Sequence, residues 1–82
     1  MEKEAIERIE GLTNIKRDVK FLLRDGFMKR DIIAYVSKAK YLSKEEKNRI
    51  EGLSNLKEDI ETLLDDGFTR HEIKNYVFHI LR

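Results

Sequence analysis

The chain has 82 residues, 40% of them charged and 40% apolar, with no proline and no cysteine. That length holds one modest core, and the mixture suits amphipathic helices; it excludes a disordered tail, a disulfide scaffold and a thiolate metal site. The formal net charge of +1 excludes an obligate polycation, and no apolar run approaches the ~20 residues that a membrane span requires.

The chain opens with Met1-Glu2-Lys3-Glu4, which is charged and lacks the apolar core of a signal segment. Apolar residues then recur at Ile6, Ile9, Leu12, Ile15, Val19, Leu22 and Leu23. Steps of three and four make one helical stripe. Gly11 interrupts it, and a mid-helix glycine costs about 1 kcal/mol relative to alanine. Thr13-Asn14 offers a cap for a new helix at that point. The stripe keeps its phase through the glycine, which favours one long, bent helix with a close backbone contact at Gly11. Gly26 sits where a left-handed C-cap residue belongs. A short helix follows, with Ile32, Tyr35, Val36 and Ala39 on its inner face and a weak cap from Met28 and Asp31. Lys40–Leu42 is the connector. Ser43 and Glu46 have capping-box spacing, so the next helix starts near Lys44.

From there the pattern repeats. Arg8–Val36 and Arg49–Val77, offset by 41, are identical at 16 of 29 positions. The second stripe runs Ile50, Leu53, Leu56, Ile60, Leu63, Leu64, with Gly52 and Ser54-Asn55 in the places of Gly11 and Thr13-Asn14. Gly67 is its turn, Thr69 and Glu72 form a full capping box, and Ile73, Tyr76, Val77 and Ile80 face inward. Two copies are too few for a solenoid. The expected fold is all-α: a tandem repeat of two helical hairpins, residues 1–41 and 42–82, each a long helix, glycine turn and short helix. They pack as a single four-helix domain around a pseudo-two-fold axis, with Phe27 and Phe68 as buried anchors after the turns.

Catalytic chemistry is hard to place on this chain. His71 and His79 are eight apart on one helix, not the i, i+4 pair of a helical metal site. Asp65-Asp66 and Glu45-Glu46 read as solvated or helix-capping carboxylates. There is no glycine-rich phosphate loop, and a domain this small has little room for a substrate pocket. The expectation is a non-enzymatic cytoplasmic protein with no catalytic residue, cofactor, metal, small-molecule substrate or membrane contact.

A partner surface is read from where the copies disagree. Phe21, Met28, Ile33 and Ala34 stand opposite Thr62, Thr69, Lys74 and Asn75. The shared positions already close the hairpin, so these extra apolar residues mark a protein-binding face. Lys29, Arg30, Lys38 and Lys40 form a basic rim that favours an acidic partner, and Phe78 extends the patch. The alternative is that Phe21 and Ile33 fill an asymmetric gap between the hairpins. Residues 1–41 carry ten Lys/Arg and seven Asp/Glu, whereas residues 42–82 carry seven and nine.

Nucleic-acid binding is the rival function. Gly67–Ile73 looks like the turn and start of a helix-turn-helix recognition helix, and Lys29, Arg30, Lys38, Lys40 and Lys44 surround Tyr35 and Tyr41 in the first copy. Against it, Asp25, Asp31, Asp65, Asp66 and Glu72 would face the same phosphates, and Lys74 stands where that motif wants a small residue.

The run Gly67-Phe68-Thr69-Arg70-His71-Glu72-Ile73-Lys74-Asn75-Tyr76-Val77 resembles the helical hook of Sin-type repressor/anti-repressor interaction domains. Gly67, Phe68, Thr69, Glu72, Ile73, Lys74, Tyr76 and Val77 carry the likeness, with Leu56, Ile60 and Leu63 for the preceding helix. Gly26, Phe27, Asp31, Ile32, Tyr35 and Val36 match more loosely, and the first-helix tryptophan of that family is absent. SHOCT-type short helical hairpins show a similar pattern with a different turn length. The resemblance implies a protein-interaction hook that pairs with another hook, often to control a DNA-binding regulator, and implies no enzymatic activity; the expected partner is a protein, either a transcription regulator or the chain itself.

Overall fold

A computed structural model describes all residues 1–82, and in it each expected long helix is two. Six helices follow in order: α1 Lys3–Leu12, α2 Ile15–Arg24, α3 Lys29–Ser37, α4 Lys44–Leu53, α5 Leu56–Asp65 and α6 Arg70–Leu81, with no strand. The expectation of four helices is therefore corrected to six. The break comes at Thr13 and Ser54, not at the glycines. Both residues are extended, with φ −141° and −144°. Each hydroxyl donates to the carbonyl four residues back, Thr13 to Ile9 and Ser54 to Ile50, at 2.8 Å. A hydroxyl that takes a local carbonyl competes with the helical ladder and favours its end.

The break also ends the phase argument. Leu12 and Leu53, inside the presumed stripe, are 45% and 39% exposed. Gly11 and Gly52 lie one residue before the helix ends, and a Cβ added at either would meet nothing within 4 Å. The expected close backbone contact at those glycines is absent.

The turns at Gly26 and Gly67 follow expectation. Their φ values are +104° and +103°. The N–H of Phe27 donates to Leu22 C=O and that of Gly26 to Leu23 C=O, at 3.1 and 3.2 Å. Phe68 and Gly67 repeat the pattern on Leu63 and Leu64 at 3.0 and 3.1 Å. Each is a Schellman motif, which satisfies the last helical carbonyls and folds the next apolar side chain back on the helix. Phe27 and Phe68 are accordingly buried at 7% exposure each.

Caps set where the next helices begin. Thr69 accepts from the Glu72 N–H at 3.1 Å while the Glu72 carboxylate accepts from the Thr69 N–H at 2.8 Å. Met28 has no side-chain oxygen, so only the Asp31 half of that box forms, at 3.3 Å. Ser43 accepts from the Glu46 N–H, but its hydroxyl donates to the Glu46 carboxylate instead of leaving that to the backbone. Helix α3 stops at Ser37 because Lys38 is left-handed (φ 56°), which turns the chain into the connector.

One core of 17 buried residues draws on all six helices. α3 lies along α6, α1 packs on α5, and α2 packs on α5 and α6. No polar or charged residue is fully buried. Of the expected inner-face residues, Ile32, Tyr35, Val36, Ile73, Tyr76 and Val77 belong to this core and Ile80 packs against it, whereas Ala39 is a correction: α3 ends at Ser37, which leaves Ala39 in the connector. No helix is long and apolar enough to cross a membrane.

Candidate interaction surfaces

Contacts between the two copies come in exchanged pairs. Arg8 forms an ion pair with Asp66 and lies over the Phe68 ring, 4.9 Å from its centroid. Arg49 pairs with Asp25 at 3.2 Å and lies over the Phe27 ring at 4.7 Å. The Tyr76 hydroxyl donates to Glu10 at 3.0 Å and the Tyr35 hydroxyl to Glu51 at 2.9 Å. Burial raises both phenols above the usual tyrosine range, and the carboxylate each one meets raises it further.

Asp18 meets its own repeat equivalent, Asp59, where α2 passes α5. Asp59 accepts from the Asn14 N–H at 3.3 Å, and Asp18 accepts from the Asn55 backbone. Each carboxylate thus serves the N-terminus of a helix in the other copy, where the asparagine side chains do not. Asp18 Oδ2 is buried with no partner of its own. Burial, then the hydrogen bond and charge of Asp59, push the Asp18 carboxyl up to about 6, against the pull of the Asn55 N–H and Arg17. A like charge at this range disfavours ionisation of Asp18.

Two open grooves flank this arrangement, and neither is lined by Asp18 or Asp59. One, of about 610 Å³, runs between α3, the connector and α5, with Ala34, Ala39, Leu42, Ile60 and Leu64 below and Lys38, Lys40, Lys47, Lys57 and Arg70 around it beside the carboxylates of Glu51 and Glu61. The other, of about 620 Å³, runs along α2, with Lys16, Arg17, Lys20, Phe21 and Arg24 facing Glu10 and Tyr76. His71 and His79 are exposed, and no three His, Asp or Glu side chains converge on a point.

The nine expected partner residues do not share one groove. Phe21 lines the α2 groove, whereas Lys38 and Lys40 line the other. Phe21 is 47% exposed and Met28 58%. Lys29 and Arg30 are exposed on the first turn of α3, where the Tyr41 hydroxyl donates to the Arg30 carbonyl at 3.3 Å. Phe78 is exposed on α6 with the Lys74 ammonium 5.8 Å from its ring centroid. Ala34 is a correction: at 1% exposure it is core, because its turn of α3 faces inward. Ile33 is half-buried and packs against the core.

No family model, characterised protein or solved structure matches the chain.

A comparison restricted to apolar differences misses the strongest contrast between the copies. Helix α2 carries four Lys/Arg against one Asp, and α5 carries one Lys against four Asp/Glu. These two helices account for the whole charge difference between the halves. Arg17, Lys20 and Arg24 stand where the second copy has Glu58, Glu61 and Asp65, and all six are exposed. The signal was present as three sign reversals at an offset of 41.

Proposed function

We propose that this chain is a non-enzymatic interaction module, built as two helical hooks around a pseudo-two-fold axis, that binds a protein partner through the outer face of α2. The meeting of Asp18 with its repeat equivalent and the exchanged Arg–Phe, Arg–Asp and Tyr–Glu pairs support the two-fold, since an axis relates each contact to its reverse. The observation that carries the binding reading is an exposed aromatic ring, Phe21, set among Arg17, Lys20 and Arg24 on one helix face. Aromatic and arginine side chains are the usual anchors of protein interfaces, and a basic surround selects an acidic partner. The resemblance to Sin-type hooks extends the proposal to control of a transcription regulator. The absence of cysteine fits a reducing compartment such as the cytoplasm.

The test is affinity capture from the native cell with wild type and a Phe21→Thr, Lys20→Glu variant, each with and without nuclease. The reading expects a protein captured by the wild type and lost with the variant at unchanged helicity. Nucleic acid is the second reading, favoured by the four cations of α2. Its mark is a captured partner that disappears on nuclease treatment, or direct binding to a short duplex with a steep salt dependence.

A further inference from the structure

We propose that the acidic partner of the α2 face is the α5 face of a second copy of this chain. The inference rests on the interaction reading above and names the partner of that same surface.

The two faces are built on one template with the signs reversed. On α2, Arg17, Lys20 and Arg24 stand four before, one before and three after Phe21. On α5, Glu58, Glu61 and Asp65 stand at the same three offsets from Thr62. Residues three and four apart share a helix face. One face is thus a large ring ringed by three cations, and the other a small side chain ringed by three carboxylates. A protruding centre fits a recessed one, and each cation has a carboxylate at matching spacing. All eight side chains are exposed.

None of these charges is taken up in an ion pair within one molecule. The two ion pairs of the chain are Arg8–Asp66 and Arg49–Asp25, and neither uses a residue of these faces. α2 and α5 touch through other sides, at Asp18 and Asp59. Each face meanwhile repels its own kind: two α2 faces, or two α5 faces, bring like charges together. Complementary potential therefore selects α2 against α5 and excludes the like pairings.

Exposed ion pairs contribute little each, so the association is weak and belongs near ~1 mM protein. Sedimentation is read at about 0.01 M salt, where the Debye length is ~30 Å, and at about 1 M, where it is ~3 Å. The expected result is a heavier species at low salt that falls to the 9.8 kDa monomer at high salt. A monomer under both conditions overturns the proposal, as does association that strengthens with salt. Two variants then locate the contact. Arg17→Glu, Lys20→Glu, Arg24→Asp makes both faces acidic; Glu58→Arg, Glu61→Lys, Asp65→Arg makes both basic. Each alone should lose self-association at least ~10-fold, and mixing the two should restore it in a 1:1 ratio. Self-association retained by either variant, or a mixture that stays monomeric while both remain helical, overturns the proposal. A wild type that is monomeric at low salt yet captures a Phe21-dependent protein from lysate refutes self-docking and leaves the interaction module standing.

Discussion

Asp18 shows how one side chain ties stability to pH. Its carboxyl sits at about 6 in the folded chain against an ordinary 3.8. Between those values the folded state holds the proton that the unfolded state has released, so stability falls as pH rises through the window. Asp18→Asn is expected to flatten that fall and to add on the order of 1 kcal/mol near pH 7, the full shift being discounted for the water that reaches this half-buried group. Thermal melts of both proteins across the window check it; a wild-type midpoint that does not move would mean Asp18 is ionised throughout. Phe68 is the second residue with a sharp expectation. It closes a Schellman turn and carries Arg8 on its face, so Phe68→Ala should cost roughly 3–5 kcal/mol in denaturant unfolding. Its burial was legible because an apolar residue after a C-cap glycine has a local reason to fold back. The arginine covering it was not, since Arg8 and Phe68 come together only through the packing of the two copies, which no local pattern encodes.

At the scale of elements, the same glycine chemistry leads to opposite expectations at different places. Gly11 and Gly52 are helical, exposed and surrounded by open space. Gly11→Ala and Gly52→Ala should each stabilise by about 0.5–1 kcal/mol, through helix propensity and a less flexible unfolded chain. Gly67 has φ +103°, and Gly67→Ala should destabilise by about 1 kcal/mol or more although space is free there too. Urea midpoints of the three variants separate backbone conformation from crowding: loss of stability at Gly11 would reveal a contact that the geometry lacks. The turns at Gly26 and Gly67, the Thr69 cap and the inner faces of α3 and α6 could all be read from sequence, because each is fixed by residues within one turn. Thr13-Asn14 and Ser54-Asn55 offer caps in the sequence, but the unbroken apolar spacing favours a continuous helix there. Apolar spacing counts phase but not direction, and a two-residue extended link can carry a stripe onward while redirecting the next helix. The exposure of Leu12 and Leu53 records that change. The partner surface was half legible for a related reason: Phe21 stood out as an apolar difference, whereas the three charge reversals beside it gain meaning only once α2 and α5 are seen as separate elements.

For the whole molecule, the proposed two-fold makes a demand that a chain of unrelated halves would not meet. Each copy contains both partners of every exchanged contact: Arg8, Glu10, Asp25, Phe27 and Tyr35 in the first, Arg49, Glu51, Asp66, Phe68 and Tyr76 in the second. The core is shared, with α3 along α6 and α2 against α5, so neither half retains a closed core alone. Chains near ~40 residues rarely bury enough surface to fold unaided. Residues 1–41 and 42–82, prepared as separate peptides, are therefore expected to be largely unfolded at low concentration and to become helical on mixing. Self-pairing of either peptide would bring two basic α2 helices, or two acidic α5 helices, together. The mixed pair brings unlike helices to the axis and should dominate, most clearly at low salt where screening is weakest. Circular dichroism of the peptides alone and in equal mixture reads this directly. Full helicity in either peptide at high dilution would mean that one hairpin holds its own core, and the contacts across the axis would then be decoration on two independent units.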